Sequence, residues 1–274
     1  MSATVKGELL AKLWGKDPGY YEKAADYVRR SREAGEYRWL ARWLPEGRVL
    51  DVGCGDGVHF EVLGRPGVSW FGCDLSPLAV SLARRRGLAQ AVVVADAEAL
   101  PFAPGSFQGV LAVSVLEHLP DPGRAIDGMI EALAPKGRLL LVSPQYGAPL
   151  GASPCRKGGG AARFAARFVR AHLPVRGGAL GWDHVEPAIL AGAAYEGDED
   201  TVVEPEIRTL RAYLASRGLF VLDASSGLTW TTWRRGRMSL GQRTARTLFE
   251  PLGRAGLPPY RWWGPFVCVC AERG

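Results

Sequence analysis

Arg48-Val49-Leu50-Asp51-Val52-Gly53-Cys54-Gly55-Asp56-Gly57 is a short apolar run that breaks into an acidic, glycine-rich turn. Apolar residues bounded by glycines predict a buried strand, and the glycines let the backbone turn tightly and approach a ligand. The spacing is D-x-G-x-G-x-G, not the dinucleotide pattern G-x-G-x-x-G, because Val58 stands where that pattern needs its third glycine. Asp51 would also repel a pyrophosphate at the start of the following helix, and it suits a cationic ligand instead.

The next hundred residues repeat the motif of a strand ending in an acid. Residues 68–73 read as a second strand that ends at Asp74, nineteen residues after Gly55 and near the ~20 expected of a nucleoside-binding acid. Its two oxygens can each accept a hydroxyl proton from a ribose diol. The same Asp can serve the turn before a helix with Ser76 as N-cap and Pro77 at N1, and the two roles are compatible. Residues 91–94 form a third strand before Asp96, residues 110–113 a fourth and residues 138–142 a fifth. Five strands alternating with helices predict a doubly wound, mostly parallel sheet with ligands at its carboxyl edge. Residues 219–222 and 265–271 supply strands six and seven.

Asp51 through Gly57 resembles motif I of the class I S-adenosylmethionine-dependent methyltransferases, whose ligand carries an ammonium and a sulfonium. Asp96-Ala97-Glu98-Ala99-Leu100-Pro101-Phe102 and Ser114-Val115-Leu116-Glu117-His118-Leu119-Pro120 are similar to later segments of the same family. The resemblance implies a Rossmann-like α/β fold of seven strands, the last antiparallel. It implies that Asp51, Gly53, Cys54 and Gly55 position the methionine moiety and Asp74, with Leu75, the ribose. It also implies that Asp96 and the Ala97 amide meet the adenine edge, while Ser114, Val115 and Leu116 line the cofactor. The product would be S-adenosylhomocysteine.

For the acceptor, the resemblance points to N-terminal helices that cover cofactor and substrate, which makes Tyr20 and Tyr21 candidates, joined by Tyr146 after the fifth strand. His118 follows the fourth strand, and Trp182-Asp183-His184-Val185 resembles a segment that precedes the last core helix in many small-molecule methyltransferases. Neutral imidazole suits proton removal near pH 7, so His118 and His184 are candidate bases. A turn-orienting His118 and a helix-capping His184 are the structural alternatives. No carboxylate cluster suggests a magnesium-dependent chemistry, so no metal is expected.

Residues 1–47 read as a helical cap and residues 48–274 as the catalytic domain, interrupted by a lid at about 143–204. Within the lid, residues 161–170 form a short amphipathic helix with Phe164 and Phe168 on one flank and Arg163, Arg167 and Arg170 on another. Ser239 opens a capping box for a helix running to Phe249. The segment 224–263 holds seven arginines against Glu250, which equals the chain's whole net charge of +6. Its Trp230, Trp233, Tyr260, Trp262 and Trp263 can stack on bases, line a planar pocket, or bury while arginine heads reach water. The last is the default reading. Five cysteines without a C-x-x-C pair argue against a disulfide framework or zinc site, and the charged N-terminus against a secretory segment, so a cytoplasmic protein is expected. Three functions follow: methyl transfer to an oxygen or nitrogen of a small molecule, methyl transfer to RNA or a membrane lipid through the basic segment, and non-catalytic cofactor binding.

Overall fold

The computed structural model describes residues 2–33, 35–156, 160–175, 177–229 and 240–274. Three helices lead in: α1 (Ser2–Leu9), extended by a π-helical turn at Leu10–Trp14, then α2 (Pro18–Ser31) and α3 (Gly35–Trp43). Asp17 caps α2 by accepting from the Gly19 amide at 2.9 Å, with Pro18 at the first helical position. The core follows as β1 (Gly47–Val52), α4 (Val58–Val62), β2 (Val68–Asp74), α5 (Pro77–Arg86), β3 (Ala91–Val94), β4 (Phe107–Val113), α6 (Pro122–Ala132) and β5 (Leu133–Pro144). The chain continues through α7 (Gly160–His172), β6 (Asp183–His184), β7 (Val203–Glu204), α8 (Ile207–Ser216), β8 (Leu219–Ser225), α9 (Leu240–Arg254) and β9 (Phe266–Arg273).

Seven strands form one sheet in the order β3-β2-β1-β4-β5-β9-β8, in which only β9 runs antiparallel. The expected sheet is therefore present. Period-two alternation gives each strand two apolar faces, because helices cover both sides. Leu50, Val110, Leu139 and Val267 face one core, with Ile126, Met129 and Leu210. Val49, Leu111, Leu140 and Cys268 face the other, with Leu40, Phe60 and Val80. Cys268 and Cys270 lie on that second face as buried free thiols, and Cys54, Cys73 and Cys155 are also free and buried. Among the described residues, no helix is long and apolar enough to cross a membrane.

The segment of residues 143–204 departs from expectation in one respect. Arg167 does not share a solvated basic flank with Arg170; it is 2% exposed, whereas Arg170 projects outward. Its guanidinium donates to the carbonyls of Tyr146 at 2.6 Å and Gly151 at 3.0 Å, to Asp183 at 2.8 Å, and to the fully buried Glu204. Asp183 and Glu204 are paired neighbours in the β6–β7 ribbon. A buried carboxylate needs a charged, hydrogen-bonded partner, and a guanidinium alone has enough donors to serve four acceptors at once. The capping residue Ser239, together with Gly158, Trp230, Trp233, Arg234, Arg235 and Arg237, lies outside the described residues. The helix assigned to Ser239 is α9, which runs past Phe249 to Arg254 with Pro251 inside it.

Replacing Arg167 by Met leaves Glu204 to Arg156, its other charged partner, and strips the carbonyls of Tyr146 and Gly151 of a donor, and should cost about 1–3 kcal/mol. Arg170→Ala should change stability by less than about 0.5 kcal/mol. Urea unfolding of the two variants beside the parent checks both values.

Candidate active site

The glycine turn after β1 sits at the carboxyl edge of the sheet. Gly53 (φ +70°) and Gly55 (φ +54°) take left-handed conformations that other residues adopt only with strain. A Cβ on Gly53 would fall 2.4 Å from Cγ2 of Val115, so the turn and the segment after β4 are packed backbone against side chain. The Gly53 and Cys54 amides both donate to the Cys73 carbonyl, at 2.8 and 3.0 Å, which ties this turn to the end of β2. The Cys54 thiol is buried, and burial pushes its ionisation well up, so it is a packing group.

Each of the three strand-end acids has a defined setting. Asp51 is fully buried; its Oδ2 meets Nδ1 of His59 at 2.9 Å and its Oδ1 has no partner among the described residues. Asp74 accepts from the Gly55 amide at 2.9 Å and the Ser76 amide at 2.8 Å, a single carboxylate clasping the glycine turn to the loop after β2. Burial pushes its carboxyl up to about 6, against the pull of those two amides. The neighbouring Leu75 is half-buried, and Ser76 caps α5 as expected, accepting from the Ala79 amide. Asp96 accepts from the Glu98 amide at 2.9 Å through one oxygen and from the Lys6 ammonium at 2.6 Å through the other. Lys6 is buried and also meets Glu98 at 2.9 Å. Ala97 opens the short 3-10 turn beside it.

Past β4 the chain turns through Ser114, whose φ of +53° swings it out of the sheet, to half-buried Val115 and fully buried Leu116. Glu117 and His118 then meet the lid loop. His118 Nδ1 lies 3.2 Å from the Asp200 carbonyl and its Nε2 is 3.9 Å from Oε1 of Glu117. Burial lowers the imidazole's affinity for a proton, but the carboxylates of Asp200, Glu117 and Asp198 outweigh it and hold the group up at about 9. Burial likewise lifts Glu117 to about 7 against the influence of His118. The Trp14 ring packs edge-on against His118, and its Nε1 donates to Asp200 Oδ2 at 2.8 Å.

Tyr20 donates to the same Asp200 oxygen at 3.3 Å and packs between the rings of Tyr21 and Tyr195. Tyr21 is buried and donates to the Trp14 carbonyl at 2.8 Å. Tyr146 donates to Asp198. Thus Tyr20, Tyr146 and His118 converge on one acidic, aromatic cluster around Asp198 and Asp200, which Tyr21 adjoins through its ring contact with Tyr20. His184 is not brought in: it is exposed, and its Nε2 lies 3.0 Å from the Pro120 carbonyl.

Tyr260, Trp262 and Trp263 are not a free aromatic surface either. Trp263 packs among Phe168, Phe249 and Tyr260, and Trp262 is stacked between the guanidinium groups of Arg211 and Arg261. Sequence reasoning missed Lys6, Trp14, Glu117, Asp198 and Asp200. The available signal was position: Glu117 lies inside a quoted motif, and Asp198 and Asp200 sit in an acidic loop within the lid.

A family model described as "Methyltransferase domain" matches residues 50–141. A ubiquinone biosynthesis O-methyltransferase from Xanthomonas euvesicatoria pv. vesicatoria is 31% identical over 210 residues, 73% of each chain. The protein of the same name from Xylella fastidiosa is 37% identical over 103 residues, which span 36% of this chain and only 42% of that relative. Among solved structures, an S-adenosylmethionine-dependent methyltransferase from Mesorhizobium loti aligns with TM-score 0.55 at 21% identity, covering 87% of this chain and 97% of its own. One from Thermotoga maritima, described as a possible histamine N-methyltransferase, aligns with TM-score 0.57 at 16% identity, covering 95% and 98%. The two structures share the fold.

Gly53→Ala should strain the turn and push against Val115 with no flexible group to yield. A loss of about 1–3 kcal/mol is expected in chemical unfolding, against less than about 0.5 kcal/mol for an exposed control such as Ala162→Ser.

Proposed function

Because this chain belongs to the S-adenosylmethionine-dependent methyltransferase family, we propose that it transfers a methyl group from that nucleoside to an oxygen or nitrogen atom of a small-molecule acceptor. The observation that carries the reading is the Asp74 carboxylate, half-buried at the tip of β2 and already organising the glycine turn through the Gly55 amide. The residues present fit the cofactor. Asp51 keeps one fully buried oxygen without a partner, as a site for the methionine ammonium would require. Asp74 would take the ribose hydroxyls, and Asp96 with the Ala97 amide the adenine edge. Ser114, Val115 and Leu116 would flank the nucleoside. Lys6 holds the Asp96 oxygen that an adenine amine would need, so α1 must give up that ion pair for the nucleoside to seat.

When bound, the cofactor supplies a methyl group on a sulfonium, an already activated leaving group. The protein's own contribution is therefore proximity and orientation. Trp14, Tyr20 and Tyr146 present an apolar, hydrogen-bonding wall to an acceptor, and the lid loop at Asp198 and Asp200 shuts water out. The named activity of the Xanthomonas and Xylella relatives, O-methyl transfer, favours an oxygen as the methyl acceptor. Five free, buried cysteines support a reducing, cytoplasmic setting.

Incubation with methyl-labelled S-adenosylmethionine and a panel of phenols, catechols and amines tests the activity. Label is expected on an acceptor oxygen, and its absence from every acceptor despite cofactor binding would count against catalysis. Binding itself has a pH signature. The Asp74 carboxyl titrates near 6, and only its ionised form accepts both ribose hydroxyls. Affinity for S-adenosylhomocysteine should be level above pH 7 and fall by up to about tenfold per unit below pH 6. Calorimetry should show Asp74→Asn binding weakly and without that slope.

A further inference from the structure

Three side chains at the acceptor end of the cleft, Glu117, His118 and Asp198, each offer one ligand atom, and these atoms lie within 4.8 Å of one another. Two come from the segment after β4 and the third from the lid. We propose that they form a divalent-cation site, closed by the lid and backed by Asp200. The proposal goes beyond the methyl-transfer reading, because cation binding needs no methyl donor.

Two independent observations support a missing cation. Oε1 of Glu117 and Oδ1 of Asp200 are buried, belong to residues that are fully buried, and have no hydrogen-bond partner among the described residues. Buried carboxylate oxygens are ordinarily paired or bound to a metal. Here Glu117 Oε1 points toward Nε2 of His118, 3.9 Å away, and Asp200 Oδ2 lies 3.7 Å from the other ring nitrogen. Among the described residues, His118 is the one basic side chain set against these three carboxylates.

The surrounding bonds are those a metal site requires. With its Nε2 proton given up to an incoming cation, His118 would keep its Nδ1 proton on the Asp200 carbonyl at 3.2 Å and turn the Nε2 lone pair to the side of Glu117 Oε1. Metal-bound histidines are held in this way by a carbonyl or carboxylate behind the ring. The second oxygen of Glu117 accepts from Ser143 Oγ at 2.7 Å, and Asp198 accepts from the Tyr146 hydroxyl. Each ligand is thereby anchored by one atom and offers another. The spread of 4.8 Å closes to bond lengths of about 2.0–2.3 Å with a small inward rotation of the side chains. Two carboxylates and one imidazole suit manganese, magnesium or zinc. Three protein ligands leave coordination positions for oxygen donors, so the fitting acceptor is one that presents an oxygen, or two adjacent oxygens, to the cation.

The test uses the full chain, freed of metal with a chelator and titrated with Mn2+ by calorimetry and electron paramagnetic resonance, without nucleoside or acceptor. One Mn2+ per chain is expected with micromolar or tighter affinity, weakened at least tenfold in both Glu117→Gln and Asp198→Asn. Asp198 lies in the lid loop, so Asp198→Asn serves if Glu117→Gln fails to fold, and thermal unfolding of each variant reports folding. Failure of the wild type to bind Mn2+, Mg2+ or Zn2+ overturns the proposal, and so does equal binding in folded variants. Because nucleoside binding is measured separately, loss of this site leaves the methyltransferase reading standing, and the converse also holds.

Discussion

Negative charge gathered on one edge of the sheet is the constraint around which this molecule is arranged. Asp51, Asp74 and Asp96 end successive strands, and Glu117, Asp198 and Asp200 join them across the top of the cleft. A carboxylate taken from water must be compensated by an opposite charge or by several donors. Much of the surrounding structure supplies that compensation. His59, the second residue of α4, answers Asp51. Two backbone amides answer Asp74, which fixes the glycine turn against β2. Lys6 brings α1 over Asp96 and Glu98. Trp14 and Tyr20 bring the next helical segments to Asp200. The N-terminal helices thus cover the cleft because its acids hold them there.

The lid follows the same rule on a separate charge. Its β6–β7 ribbon carries Asp183 and the buried Glu204, and α7 delivers Arg167 between them. The same guanidinium binds the carbonyls of Tyr146 and Gly151, so the loop that leaves β5 is organised by one side chain. Tyr146 in turn contacts Asp198. The ion pair that holds the lid together and the pocket that faces the acceptor are therefore two bonds apart.

The parts legible in the sequence were those written in local pattern. The D-x-G-x-G-x-G turn, period-two strands, the Ser76-Pro77 cap and the acid at each of the first three strand ends all lie where expected, since each depends on neighbours within a few residues. What could not be read depends on contacts far along the chain. Lys6 and Asp96 are ninety positions apart, and Trp14 and Asp200 are 186 apart. A lysine between apolar residues reads as a solvated helix position until the fold places a carboxylate above it. Arg167 was misplaced for the same reason: helical periodicity puts it beside Arg163 and Arg170, but only the distant Glu204 determines that it turns inward. Asp198 and Asp200 could not be picked out of their acidic loop because sequence composition does not distinguish a buried acid from an exposed one.

Central to the proposed function is a nucleoside site at the carboxyl edge of the sheet, where Lys6 of α1 pairs with Asp96. The most direct measurement is a crystal structure of the complex with S-adenosylhomocysteine. It should show the ribose hydroxyls on Asp74, the adenine amine on Asp96, and Lys6 withdrawn from that carboxylate. A nucleoside bound elsewhere, with the Lys6–Asp96 pair intact and Asp74 bonded only to the amides of Gly55 and Ser76, would contradict it.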